Sequence, residues 1–216
     1  MRWWRLERVA SPSRSAELER DISLYKMVAA SLEGFCRGHF SEIGCHGWEH
    51  VQRVRVLCRR IGVEEGALLE ILDLAALFHD LKRGEDDHAK RSAEFAEQVL
   101  RSEGFSEGFL KAVGDAIASH SYTCGRTPQS LEAKVLSDAD RLDAMGAIGI
   151  YRTVQYNLER GYPAARVAEH ISEKLLRLSG GMHTATGRKM AKQREAILRL
   201  YMESLLCELR DSSSST

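Results

Sequence analysis

The sequence predicts an all-α fold, and three observations carry that expectation. Apolar residues recur at intervals of three and four, as in Leu68, Ile71/Leu72, Ala75 and Phe78, or Ile197, Leu200/Tyr201, Leu205 and Leu209. That is the spacing of one face of an α-helix. Alternating runs rich in Val, Ile and Thr, the mark of a half-buried strand, are nearly absent. Only three prolines occur among 216 residues, each where a helical chain tolerates it: Pro12 in the opening segment, Pro128 in a polar stretch, and Pro163 where it can open a helix.

Nine helices are expected in order. The first, 15–38, follows Ser11-Pro12-Ser13, and the second, 47–61, is opened by His46-Gly47-Trp48-Glu49-His50. The third, 65–81, is apolar nearly all round between Leu68 and Phe78, so it is expected to be buried. The fourth, 88–102, follows the acidic run Gly84-Glu85-Asp86-Asp87, and the fifth, 107–119, ends just before His120. The polar stretch 123–130 leads to the sixth, 131–142, which is Ala, Leu and Val around three carboxylates. The seventh, 145–160, stops before Gly161-Tyr162-Pro163, which opens the eighth, 164–178. The ninth is 185–210, and the serine run at 211–216 reads as a disordered tail. Short links, no internal repeat and no linker composition imply one domain over 1–216, with its core at about 20–210.

Composition excludes several functions. Lys+Arg and Asp+Glu both number 31, so the formal net charge is zero. A protein that coats polymeric nucleic acid or an anionic membrane normally carries a basic excess. The apolar run 71–78 is broken by Asp73 and falls far short of the ~18 residues of a membrane span. No apolar segment of signal-peptide type follows Met1-Arg2-Trp3-Trp4-Arg5. Cys36, Cys45, Cys58, Cys124 and Cys207 are scattered, odd in number and form no C-x-x-C pair, which reads as reduced thiols in a cytoplasmic protein. Trp3 and Trp4 read as a terminal segment packing back on the body or as a homodimer contact.

Histidine and aspartate are concentrated at a few places. His46 and His50 open one helix, and His79-Asp80 ends the buried third helix. Asp138, Asp140 and Asp143 lie on or just after the sixth. Desolvated groups at the edge of a core need partners, and one cation satisfies several of them at once. Imidazoles plus carboxylates without thiolates suit manganese, magnesium, iron, cobalt or nickel with open positions; zinc fits less well, since closed zinc sites more often use cysteine.

The order His50 … His79-Asp80 … Asp140 resembles the H…HD…D signature of the HD superfamily of metal-dependent phosphohydrolases. The flanking text is similar too: His46-x-x-x-His50-Val51-x-Arg53-Val54, Ala75-Ala76-Leu77-Phe78-His79-Asp80, Ala118-Ser119-His120-Ser121, and Asp138 through Ile150. With Met182-His183-Thr184 and Gly187-Arg188, this stretch looks like a subgroup of small single-domain bacterial members. The resemblance implies a helical HD fold and makes His50, His79, Asp80 and Asp140 the metal ligands. Asp140 is preferred to Asp138 because the family ligand precedes Arg-Leu, and residues two apart point about 200° away from each other on a helix.

Other residues carry open alternatives. His46, one turn before His50, is a hydrogen-bonding neighbour of a ligand, a phosphate contact or a helix-start residue. His88 and His120 line the substrate site, hold a second ion, or are a surface and a core histidine. Lys82 and Arg83 grip phosphate oxygens or form a solvated basic pair, and Glu85 orients the attacking water or belongs to a turn. His39, His170 and His183 are expected to be structural, and Arg188, Lys189 and Arg194 to form a solvated helix face, with a phosphate clamp as the alternative. The resemblance implies hydrolysis of small phosphorylated substrates, nucleotides above all, by a nucleoside triphosphate pyrophosphohydrolase or a nucleotidase, with Asp80, Lys82, Glu85 and His120 at the reaction centre. The alternatives are a cyclic-nucleotide phosphodiesterase and a catalytically silent metal- and nucleotide-binding module. No polymeric nucleic acid and no membrane is expected as a partner.

Overall fold

A computed structural model of the chain describes residues 13–42, 44–121 and 125–213. Among these residues there is no strand, and the helices run α1 (Arg14–Arg37), α2 (Trp48–Glu65), α3 (Leu69–Phe78), α4 (His88–Glu103), α5 (Glu107–Ala118), α6 (Leu131–Asp143), α7 (Gly146–Glu159), α8 (Ala164–His170), a short α9 (Leu176–Leu178) and α10 (Ala185–Ser213). Trp3, Trp4, Pro12 and Cys124 lie outside the described residues. The starts of α1, α5 and α6 follow from local chemistry. Ser13, Ser106 and Ser130 each precede a helix in extended conformation and accept a hydrogen bond from the amide three residues on.

Three boundaries differ from the periodicity reading. Helix α2 runs on to Glu65 and is closed by Gly66 in the left-handed conformation, so α3 is shorter at both ends than 65–81. The expected eighth helix is interrupted by a π turn at Ile171–Leu175 between α8 and α9. Helix α10 continues to Ser213, past residue 211 where disorder was expected. A serine in the last turn of a long helix costs only its propensity, a few tenths of a kcal/mol.

Helix α3 is the axis of the fold, as its apolar sequence requires. Ile71, Leu72 and Leu74 through Phe78 are buried against α2, α5 and α6 in one hydrophobic cluster that reaches from Leu32 to Leu198. Because every residue of α3 from Leu74 to Phe78 is buried, whatever ends it is carried to the middle of the molecule. His79, which caps it, is fully buried. The cysteines Cys36, Cys45, Cys58 and Cys207 are free thiols, and burial pushes the Cys36 thiol up to about 12.

Helix α10 is pinned to α6 by a buried carboxylate. Asp138 accepts hydrogen bonds from the His183 and Thr184 amides, both at 2.8 Å, and from the Thr184 hydroxyl at 2.7 Å. The cap itself is Thr184, whose hydroxyl oxygen accepts from the Gly187 amide at 2.9 Å, and Asp138 fixes that residue from another element. Arg194, expected on a solvated face, instead donates from α10 to the Leu142 carbonyl. Asp138 thus faces α10 while Asp140 faces away from it, as their spacing predicts.

The turn between α6 and α7 is tight because Gly149 lies against the carbonyl of Ala144, and a Cβ at 149 would overlap that backbone group. Gly149→Ala is therefore expected to destabilise by about 1–3 kcal/mol, despite the ~1 kcal/mol that alanine normally gains inside a helix. A melting curve should show Tm lower by roughly 3–10 °C. An unchanged or higher Tm would show that the α6–α7 turn relaxes freely.

Candidate metal centre

The histidines and carboxylates singled out in the sequence meet at the ends of their helices. His46 comes from the turn before α2 and His50 from the first turn of α2. His79 and Asp80 follow α3, His88 starts α4, His120 follows α5, and Asp140 and Asp143 come from the last turn of α6. Position 87 helps to direct His88. Asp87 adopts a left-handed conformation with φ 51°, which aspartate tolerates better than most residues.

Three buried imidazoles are oriented alike. The Nδ1–H of His50 donates to Asp143 at 2.8 Å, that of His79 to the Ala76 carbonyl at 2.7 Å, and that of His120 to the Ile117 carbonyl at 2.6 Å. Each Nε2 is left as a lone pair directed into a common space. His50 Nε2 lies 3.1 Å from His79 Nε2, 3.7 Å from Asp80 Oδ2 and 3.6 Å from Asp140 Oδ1. His79 Nε2 is 3.8 Å from Asp80 Oδ2. His120 Nε2, wholly buried, has no hydrogen-bond partner among the described residues and lies 3.7 Å from Asp80 Oδ1. Two imidazole lone pairs facing each other at 3.1 Å, with a third orphaned beside them, repel unless a cation or a proton lies between.

The electrostatics favour the cation. Burial lowers His79 to about 4, and burial also lowers His46 and His88, so these rings favour the neutral form. Burial would raise Asp80, but His79, His120 and His46 hold it well below the usual carboxylate range; Asp140 is likewise lowered by His50, His120 and His79. His120 is the exception: burial would lower it, yet Asp80 and Asp140 raise it. The carboxylates call for positive charge at that Nε2. The sets His50/His79/Asp140, His79/Asp80/His120 and His46/His50/Asp80 each bring one ligand atom per residue within 4.8 Å of the others, so the cluster can hold a metal ion.

The residues flanking the cluster sort less evenly. His46 Nδ1 is 2.9 Å from Asp80 Oδ2, and His88 Nε2 is 3.6 Å from Asp80 Oδ1. Arg83 Nη1 reaches both Asp80 Oδ1, at 3.2 Å, and His88 Nε2, at 3.1 Å. Lys82 and Glu85, expected at the reaction centre, point elsewhere: Lys82 Nζ lies over the Phe95 ring and 3.6 Å from Glu85 Oε1. An aromatic face and a neighbouring carboxylate compete for that amine, and Arg83 takes the basic position beside Asp80 instead.

Asp143 was not singled out for the site. It is 1% exposed and receives His50 Nδ1, Arg53 Nε at 2.7 Å, Arg53 Nη2 at 3.1 Å and Arg152 Nη1 at 2.7 Å. Those donors hold it far below the usual carboxylate range, although burial opposes this. The signal was present: Asp143 is three residues after Asp140 and Arg53 three after His50, each pair on one helix face. A cavity of about 370 Å³ opens beside Asp140, which is 23% exposed; its walls come from the 141–156 stretch of α6 and α7 and from α8 and the π turn. His170, expected to be structural, lines it.

Fold and site together define an all-α protein with a buried His/Asp cluster able to bind a divalent ion. A model of the HD domain family matches residues 47–145. The Bacillus subtilis protein YpgQ is 33% identical over 169 residues, which is 74% of this chain and 82% of that protein. The crystal structure of Bacillus subtilis YpgQ in complex with ADP superposes with a TM-score of 0.73 at 30% identity, covering 86% of this chain and 96% of that one. The crystal structure of a predicted HD superfamily hydrolase from an uncultured Thermotogales bacterium does so with a TM-score of 0.64 at 32% identity, over 84% of this chain and 93% of that one. The chain belongs to the HD superfamily.

Proposed function

We propose that this protein is a divalent-metal-dependent phosphohydrolase of small phosphorylated substrates, with nucleotides first among them. The observation that carries the reading is the convergence of the Nε2 atoms of three buried imidazoles on two carboxylates beside an open cavity. The ADP bound to YpgQ supports a nucleotide as the ligand class. The ligands proposed are His50, His79, Asp80 and Asp140. Manganese, magnesium, iron, cobalt and nickel fit this oxygen and imidazole set, and zinc fits it less well.

A bound divalent ion supplies Lewis acidity, polarising a phosphoryl oxygen and lowering the pKa of water. The chain supplies the rest. Asp143 and the Ala76 carbonyl fix the ring planes of His50 and His79. Arg83, at the cavity edge beside Asp80, neutralises charge that builds on phosphate oxygens. His46 holds the second oxygen of Asp80, which fixes that carboxylate's direction. His120 and His88 both approach Asp80 Oδ1, the oxygen His46 does not hold. They either face substrate or support a second ion.

The test is a screen of nucleoside mono-, di- and triphosphates and cyclic nucleotides against the divalent ions named, reading phosphate and pyrophosphate release. Turnover of a free nucleotide with one of these ions, and none of duplex DNA, is the expected outcome. Metal binding without turnover of any phosphorylated compound would sink the reading in favour of a silent binding module. Elemental analysis of protein purified without chelator counts the ions. We expect close to one per chain, with His120→Ala leaving that ratio unchanged; two per chain, one lost in His88→Ala or His120→Ala, would show a binuclear site.

A further inference from the structure

A second cavity, of about 500 Å³, shares no lining residue with the one beside the cluster. It lies between α1, α2 and the first turns of α3, lined by the buried Leu72, the half-buried Leu69 and, at its edge, Val56, which is 67% exposed. Its charged groups are held by one another only in part. Arg55 donates to Asp73 through Nε at 2.8 Å and Nη2 at 3.0 Å, and its Nη1 lies 3.0 Å from Glu33 Oε2. The Tyr25 hydroxyl closes that wall from α1, donating to Asp73 at 2.9 Å. Glu70 and Arg59, also in the lining, form no ion pair among the described residues. The groove thus offers apolar surface under a rim of three acids, Glu33, Glu70 and Asp73, against two bases.

One segment of the chain matches this surface in chemistry and in position. Residues 1–12 carry Trp3, Trp4, Leu6 and Val9, with Arg2, Arg5 and Arg8 against the single acid Glu7. Apolar and basic side chains together answer an apolar groove under an acidic rim. The position follows from α1. Tyr25 meets Asp73 within α3, whereas Phe35, ten residues on, stacks on Phe95, whose ring holds Lys82 from beyond the end of α3. Helices α1 and α3 therefore run in the same direction, and the start of α1 lies at the end of the groove that holds Leu69 and Glu70. Ser13 is extended and turns the chain off the α1 axis. Tyr25 is about 18 Å along the helix from Ser13, at 1.5 Å per residue. The stretch from Trp4 to Ser13 spans up to roughly 30 Å when extended, so both indoles can reach the groove.

We propose that residues 1–12 fold back along α1 and seat Trp3 and Trp4 in this groove of their own chain, as a strap across α1, α2 and α3. The indoles cover Val56 and Leu69, and Arg59 is the cation available to a ring face. Arg2, Arg5 and Arg8 bring positive charge to Glu70 and Glu33. Helix α2 carries His50 in its first turn and α3 ends just before His79, so the strap ties together the two helices from which those rings come. It uses neither the cluster nor the cavity beside it, and so holds whatever reaction the cluster performs.

The test is made in the full chain. With the photoreactive p-benzoylphenylalanine in place of Trp4, irradiation should join position 4 to residues 52–59 or 69–73 of the same chain, at monomer mass. Trp3→Ala/Trp4→Ala should lower Tm by about 3–8 °C. Val56→Asp changes an exposed position and leaves the core intact. It should lower Tm by a similar amount and open the terminal indoles to iodide quenching, while the buried Trp48 stays protected. In the Trp3→Ala/Trp4→Ala background, Val56→Asp should cost only its helix propensity, about 1–2 °C. Additive Tm losses overturn the strap, as does emission from Trp3 and Trp4 that is as open to iodide in the wild type as in Val56→Asp. A lack of crosslinks to the groove also overturns it. So do crosslinks at twice the monomer mass, which would make the groove an interface between two copies.

Discussion

Asp80→Asn is expected to abolish hydrolysis, by at least about 10³-fold, while leaving a folded helical protein. The expected rate loss is on the scale seen when one group stabilising transition-state charge is removed. Asp80 is where the site is most connected: its two oxygens meet His46, Arg83, His88 and His120. It stands after α3, not within it, so its loss removes little core packing. Its partners His46 and Arg83 keep access to water, with side chains 34% and 42% exposed. Circular dichroism should therefore match the wild type, and Tm in chelator should differ little. Adding the divalent ion should stabilise the wild type by mass action, by about 2.7 kcal/mol at a hundredfold excess over Kd, seen as a raised Tm, and should leave the variant unmoved. His79→Ala should behave alike in turnover but lose several degrees in chelator, because it empties a fully buried ring position. Near-wild-type turnover of Asp80→Asn with metal present would remove this cluster from the chemistry.

How much of this was legible in the sequence depends on the length scale of the signal. Helix α3 was legible because an all-round apolar stretch has one physical fate, and its burial placed His79 and Asp80 at the core edge. The order of His50, His79-Asp80 and Asp140 was legible as a pattern, and the structure brings the four together. The placement of Lys82 was not. Whether a loop lysine turns to a cluster or to Phe95 and Glu85 depends on packing between α1 and α4 that no local pattern encodes. The π turn was invisible for a related reason. Periodicity over 164–178 registers only that the segment is helical, whereas the extra residue in one turn is decided by anchoring Ile171 and Leu175 in the same core. Arg194 misled in the opposite way, because a charged residue on a helix reads as solvated unless the distant carbonyl that binds it is known.

Asp143 offers the second large effect, and two variants separate its parts. Asp143→Ala leaves three donors without their acceptor: the His50 ring, the Arg53 guanidinium and the Arg152 guanidinium, whose side chain is only 12% exposed. Removing one side of a buried charge pair costs about 3–5 kcal/mol, so Tm should fall on the order of 10 °C. Asp143→Asn keeps the shape and one acceptor oxygen but turns the other position into a donor. That NH₂ cannot face either arginine or the His50 N–H without meeting another donor. The lowest-cost adjustment is for His50 to change tautomer, accepting from the amide at Nδ1 and carrying its proton on Nε2. A protonated Nε2 is no longer a ligand, so affinity for the divalent ion should fall about 10–100-fold, the usual cost of losing a partner that orients a metal-bound histidine. Metal titration followed by Tm gives the affinity, and ¹⁵N chemical shifts of His50 in the metal-free protein report the tautomer directly. A merely structural role for Asp143 would lower Tm in both variants and leave the His50 tautomer and the metal affinity of Asp143→Asn as in the wild type. A shifted tautomer together with weakened metal binding is the signature of a carboxylate that sets which nitrogen of His50 faces the site.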